Sequence, residues 1–273
     1  MFRNNTRKKG KQVITSNYHN VSAPNKKVAR VVKFDELLGL IDVLPDTVHL
    51  NIIGGQALTF WALYYQESYP EKFEDSALSM GTTDIDFVTD KQSMEICAEA
   101  WGVELTRPNP NDEVAAQIGK VELIWDGEEI IIDFLIDYVH PKRVKEGYLG
   151  CVKLSADRDI NVLGPTATLL SKIGNILVLR RRTPNDYGQL RSAMMVVHCA
   201  ILEAMDQQDY HEAIRYIRFA LDIARSNRIG SKMYKQGIDL LEIIPDDLKE
   251  LDARYIQKTL IPELEKIQLS RNI

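Results

Sequence analysis

The segment Thr83-Asp84-Ile85-Asp86-Phe87-Val88 constrains the fold more than any other stretch of the chain. Side chains alternate across a β-strand, so Asp84 and Asp86 share one face while Ile85 and Phe87 share the other. Such a strand needs a packed core on one side and water or a polar cavity on the other. Upstream, Val48 to Ile53 reads as a first strand that runs into Gly54-Gly55. Leu58, Trp61, Ala62 and Tyr65 then recur at helical spacing, which predicts a helix over 57–65 with its start near Gln56. A third acid, Asp133, lies in the apolar run Ile130-Ile131-Ile132-Asp133-Phe134-Leu135-Ile136, with Ile132 and Phe134 on its opposite face.

These residue types point to metal and phosphate chemistry. Two carboxylates about 6–7 Å apart along one strand face can share one or two Mg²⁺ ions. Asp133 completes a three-acid cluster if its strand lies beside the first, and a two-metal site of that kind clamps the attacking and leaving oxygens of an in-line phosphoryl displacement. Asp137 shares Asp133's strand face and is its substitute. The Gly-Gly turn lacks β-carbons, so backbone N–H groups can approach phosphate, and the helix behind it points its positive end the same way. The competing reading is structural: acids on a solvated strand face, and glycines that only turn the chain.

The remaining pattern predicts a helix over 34–43 with Asp35 and Glu36 at its start, and a helix over 92–101 whose Met94, Cys97, Ala98 and Trp101 form a core stripe. Arg107-Pro108-Asn109-Pro110-Asn111 is a loop. Residues 121–125 and 129–136, around Asp126-Gly127, form the clearest hairpin. Beyond about Asn161 the pattern is helical: Pro165 to Leu179, then 187–205, 209–226, 231–242 and 247–267, with breaks at Pro184 and Pro245 and a kink at Pro262. The expected fold class is α+β: a mixed β-sheet head with flanking helices, followed by a C-terminal helical bundle. The expected units are a basic arm, 1–33, a head, 34–160, and a helical domain, 161–273.

The order of strand, Gly-Gly, helix, Asp-x-Asp and a later third acid resembles the nucleotidyltransferases related to DNA polymerase beta. It is most similar to the AbiEii-type toxin nucleotidyltransferases, through Gly54-Gly55-Gln56-Ala57-Leu58, Thr82-Thr83-Asp84-Ile85-Asp86, and the Leu-Leu-x-Lys pattern at Leu169-Leu170-Ser171-Lys172. The resemblance covers about residues 45–195. It departs in a longer gap from Gly55 to Asp84, with Tyr64 to Met80 as an insertion, and in a missing Arg before the Thr pair, where Gly81 stands nearby. It departs again in the Lys-Asp-x-x-Asp segment, which here reads Asn185-Asp186-Tyr187-Gly188-Gln189. The resemblance implies an enzyme that moves a nucleoside monophosphate from an NTP to an RNA 3′ end, a protein hydroxyl or a small molecule. It implies Mg²⁺ or Mn²⁺ held by Asp84, Asp86 and Asp133. Gly54, Gly55 and Gln56 would cradle phosphate, and Lys172 and Arg182 would neutralise its charge. Arg180, Arg181 and Arg182 also suit a helix C-terminus without any further role, and Asp186 would orient one of them or a substrate hydroxyl. An antitoxin-type protein is the implied partner. Arg191 and His198 match the spacing of the HEPN ribonuclease family, although His198 sits among apolar neighbours and reads as a core histidine. The alternative function is a nucleotidyltransferase-fold subunit that binds nucleic acid without turnover.

Charge is divided along the chain. Residues 1–33 hold nine Lys or Arg and no acid, leaving 25 basic against 39 acidic residues in the rest. A basic segment on an acidic body suggests either a polyanion partner such as RNA or, equally, a disordered arm kept basic for solubility. No apolar run reaches the ~18 residues of a membrane span. The start lacks a signal-peptide core, and three widely spaced cysteines imply a reducing cytoplasm rather than a disulfide framework.

Overall fold

The computed structural model describes residues 31–74, 82–108, 116–125, 127–154 and 158–271. Most of the basic segment, residues 75–80 of the expected insertion, and Gly81 lie outside these. Among the described residues the strands form one mixed sheet, ordered β3-β4-β2-β1-β6-β5. Its members are β1 (Leu50–Ile52), β2 (Asp84–Val88), β3 (Gln117–Trp125), β4 (Glu128–Leu135), β5 (Cys151–Lys153) and β6 (Ile160–Leu163). β2 pairs antiparallel with β1 and parallel with β4, β1 pairs parallel with β6, and β3–β4 and β5–β6 pair antiparallel. Gly127 turns the β3–β4 hairpin at φ 81°.

Alternation decides which face is packed. Ile85, Phe87, Ile130, Ile132 and Phe134 are buried, whereas Asp84 is exposed and Asp86 and Asp133 are partly buried. The apolar face carries α3 (Lys91–Trp101), whose Met94, Cys97 and Ala98 are buried. Phe87 and Phe134 stack at 6.1 Å, and Trp101 stacks on Phe134 at 6.2 Å while its Nε1–H donates to Leu40 O in α1 (Phe34–Asp42). Trp101 therefore packs the core, as its stripe predicts.

Helix α2 (Gly54–Ser68) joins the sheet to the helices that follow it. Its Trp61 Nε1–H donates to Leu163 O at 2.6 Å. The hydroxyls of Tyr64 and Tyr65 donate to Glu203, and that of Tyr69 to Asp206, on α5 (Pro184–Asp206). The aromatic end of α2 and the turn after it thus dock the tail. Helix α4 (Pro165–Leu177) opens on Pro165, as expected, and is buried on all sides from Pro165 to Gly174. The expected division at 160/161 passes through β6, and the helical half begins only after Leu163.

Some helix boundaries differ from the sequence pattern. Thr183 caps α5 in a reciprocal pair with Asp186, so Pro184 is the first residue of that helix and not a break before it. Helix α6 (Tyr210–Arg225) matches its expected span. The helix expected over 231–242 is only α7 (Gly230–Tyr234), because Gly237 takes φ 77° and the chain resumes as a 3₁₀ turn at Leu240–Ile243. The helix expected from 247 starts at Ala253. It runs through α8 (Ala253–Tyr255), a π turn (Ile256–Leu260) and α9 (Ile261–Arg271). Pro262 has no N–H and its ring crowds the carbonyl four residues back, so the widened turn before it takes the place of a sharp kink. His198 lies 3.2 Å through Nδ1 from Ile243 O, and burial lowers its pKa, so it acts as a packing histidine between α5 and that 3₁₀ turn; Arg191 is exposed. No helix among the described residues is long and apolar enough to cross a membrane.

Gly174 sets how closely α4 approaches the chain after β4. A β-carbon there would lie 2.6 Å from Val139 O. Gly174→Ala is therefore expected to destabilise by about 1–3 kcal/mol through overpacking. Gly147→Ala, whose β-carbon would meet nothing within 4 Å, should change stability by less than about 0.5 kcal/mol. Urea unfolding of the two variants checks the contrast.

Candidate active site

The diglycine turn is shaped around the acid strand. Ile53 N–H donates to Asp86 O at 3.1 Å, which pins the end of β1 to the middle of β2. Gly54 has φ 64°, and a β-carbon on it would stand 2.0 Å from Asp86 Oδ2. One on Gly55 would stand 2.3 Å from the Thr82 β-carbon. Both positions exclude any side chain, the first on conformational grounds as well. Helix α2 begins directly at Gly54, earlier than its apolar pattern suggests, and its N-cap Ile53 supplies no side-chain acceptor. The helix start thus lies beside Asp86 with no side-chain cap on its first-turn N–H groups, and such an end favours an anion.

The parallel β2–β4 ladder puts Asp86 opposite Asp133 and Asp84 opposite Ile131. Neighbouring strands lie about 4.8 Å apart, so Asp86 and Asp133 are side by side and Asp84 is one pleat further along. All three line a cavity of about 1050 Å³, together with Gly54, Gly55, Gln117, Lys172, Arg181 and Gln189. Lys172 comes from α4 and is 3% exposed, and its Nζ donates to Gln189 Oε1 at 2.9 Å.

Burial and like charge govern the protonation of this group. The Asp86 carboxyl is pushed up to about 6, first by burial, against the pull of the Lys172 cation and with repulsion from Asp133 and Asp84. Asp133 is also raised, by burial and by Asp84, while Lys120 and a hydrogen bond from Gln117 act against the rise. Lys172 is brought down to about 8 by burial, with Asp86 opposing. The donor set is hard oxygen only, which suits Mg²⁺ or Mn²⁺ rather than a soft metal. Among the described residues no three His, Cys, Asp or Glu side chains are already gathered as a metal cage. Lys172 and Arg181 offset the charge of Asp86, and Lys120 that of Asp133, only in part, and a bound divalent cation would lower the remaining repulsion among the three carboxylates.

Not every residue expected here belongs to the cavity. Gln56 is fully buried behind it and donates Nε2–H to Val32 O at 3.1 Å, so it props the chain entering α1 and faces no phosphate. Arg182 does not line the cavity, whereas Arg181 does and acts electrostatically on both Asp86 and Lys172. The chain reverses at Arg180, φ 58°, after α4, which a count of helical residues does not locate. Asp186 reaches the rim but its Oδ2 accepts from both the N–H and the hydroxyl of Thr183. Asp137 also lines the cavity, beyond the end of β4. Gln117 is a lining residue that the sequence pattern missed, and Gln189 lines the cavity although the pattern marked it only as a departure in the segment 185–189.

Compared with known proteins, the chain matches no family model, no curated protein and no solved structure.

The Asp86 pKa gives a stability test. Its folded value of about 6 lies above the unfolded value near 3.8, so the folded state holds this proton more tightly. The associated stability is complete below the unfolded value and is lost as pH rises through the folded one. Asp86→Asn removes the loss. Without divalent cations it should be more stable than wild type at pH 7.5 by on the order of 2–3 kcal/mol, with the difference shrinking toward zero near pH 4. Denaturant melts at the two pH values check this.

Proposed function

We propose that the chain is a metal-dependent nucleotidyltransferase that moves a nucleoside monophosphate from an NTP to an acceptor hydroxyl and releases pyrophosphate. One observation carries the reading: Asp86 and Asp133 share a register on adjoining strands, with Asp84 on the same cavity and Gly54 moulded against Asp86. Asp84, Asp86 and Asp133 would hold Mg²⁺ or Mn²⁺. A bound divalent cation supplies charge neutralisation for the attacking and leaving oxygens.

The chain's own residues supply the rest. The first-turn N–H groups of Gly54 and Gly55 donate hydrogen bonds to a phosphate oxygen. Lys172 offsets triphosphate charge, with Arg181 in the role expected of Arg182. Asp133 takes the proton of the acceptor hydroxyl while that oxygen bonds to the α-phosphorus. The bond from the α-phosphorus to the bridging oxygen breaks, and its electrons leave with pyrophosphate. The acceptor is an RNA 3′ end, a protein hydroxyl or a small molecule, and the charge of residues 1–33 favours RNA. Unpaired Cys97, Cys151 and Cys199 fit a reducing cytoplasm. An antitoxin-type protein partner follows from the same resemblance.

A second reading has its own observation. Lys172 is tied to Gln189, where the resembling family carries an Asp, and Asn185 stands in place of that family's Lys. These changes favour a subunit that binds nucleic acid without turnover.

Incubation with labelled NTPs, Mg²⁺ and the three acceptor classes separates the two. Transfer by wild type, reduced at least about 100-fold in Asp84→Ala, supports the enzyme. Equal transfer by Asp84→Ala rejects it. No transfer and no metal-dependent NTP binding, with salt-sensitive RNA binding that vanishes on removing residues 1–33, supports the binding subunit.

A further inference from the structure

We infer that Gln117 is a positioning residue for Asp133, brought to it by a β-bulge at the start of β3. The inference rests on the role given above to Asp133.

Three observations converge on it. First, Gln117 Nε2–H donates to Asp133 Oδ1 at 2.7 Å, and both residues line the cavity. Asp133 Oδ2 accepts no hydrogen bond among the described residues, so it is the oxygen left for a cation or for a proton.

Second, the register shows why Gln117 is there. Lys120 lies opposite Asp133 and Gly119 opposite Phe134, so an unbroken ladder would set Ile118 opposite Leu135. The ladder instead shifts between Gln117 and Gly119, and Gln117 stands opposite Leu135. Residues directly opposite share a face, as do residues two apart on one strand. Gln117 is therefore on the face of Leu135 and Asp133. Without the extra residue, Ile118 would hold that position and the amide would point into the core side. Ile118 instead packs against the hydrophobic core. Bulges beside active sites commonly re-aim one side chain in this way.

Third, the bulge has a matching vacancy. A β-carbon on Gly119 would stand 2.4 Å from Met94 Sδ and 2.9 Å from Leu105 Cδ1. The glycine lets the shifted strand lie close against α3. Past the bulge the ladder closes again, with Ile136 N–H donating to Ala116 O at 2.8 Å.

The consequence is a division of labour between the two oxygens of one carboxylate. Gln117 fixes the rotamer of Asp133 by holding Oδ1, which leaves Oδ2 with a single orientation toward the cavity. Residues that hold a metal-binding side chain in place typically affect metal affinity 10- to 100-fold.

The test measures Mn²⁺ binding by electron paramagnetic resonance for wild type, Gln117→Ala, Gln117→Met and Asp133→Ala, with metal-free thermal melts to confirm folding. Steady-state kinetics follow on the same proteins. Gln117→Ala is expected to weaken Mn²⁺ binding about 10-fold and to lower kcat by a similar factor, with KM for NTP changed less than about 2-fold. Gln117→Met keeps the size and removes the donor, so it should be as impaired as Gln117→Ala. If Gln117 merely fills space, Gln117→Met will bind Mn²⁺ as wild type does, and the inference is overturned. Wild-type binding by Gln117→Ala, with loss in Asp133→Ala, also overturns it and leaves the role of Asp133 standing. Unchanged binding in Asp133→Ala removes the role of Asp133 itself.

Discussion

The parallel pairing of Asp84–Val88 with Glu128–Leu135 is the constraint on which the site and the core both depend. It joins two strands that each alternate acid or half-buried residues with fully buried ones, and it aligns them residue for residue. Phe87 meets Phe134 and Ile85 meets Ile132 on one face, so Asp86 must meet Asp133 on the other. A slip of Glu128–Leu135 by one residue would turn Asp133 toward the packed face and Phe134 out of it, away from Phe87. Burial of the aromatic pair thus enforces the proximity of two carboxylates that would otherwise separate.

That enforced proximity works against the stability of the metal-free fold. Asp86 is lodged between Gly54 and two like charges, and Lys172 only partly compensates, being itself desolvated on α4. Destabilising arrangements of this kind concentrate at functional sites because the chemistry needs charge where water is excluded. Gly54 has the same logic in backbone form. It accepts a left-handed conformation so that an acid and a helix start can occupy neighbouring space.

The acid face of each strand was legible in the sequence because alternation is a strict two-residue rule, whereas the parallel pairing that sets Asp86 opposite Asp133 was only a condition there and comes from the structure. Pro165 and the span of α6 were legible for similarly local reasons. What escaped was set by tertiary context. Gln56 reads as a helix-start residue, but α2 begins two residues earlier because Gly54 itself turns into the helix. Arg181 replaces Arg182 at the cavity because the chain reverses at Arg180 in a conformation that no composition rule assigns to arginine. Gln117 could not be placed, since a single extra residue in β3 reverses the face it would otherwise take. The tail helices failed at Gly237 and before Pro262, where backbone geometry overrides apolar spacing.

The most direct test of the account is a crystal structure with a non-hydrolysable NTP and Mg²⁺. It should show a cation within about 2.0–2.1 Å of oxygens from Asp84 and Asp86, Asp133 turned to the same cavity, and the triphosphate against the Gly54-Gly55 helix start. Nucleotide bound elsewhere, or bound here with no cation on Asp84 and Asp86, would contradict it.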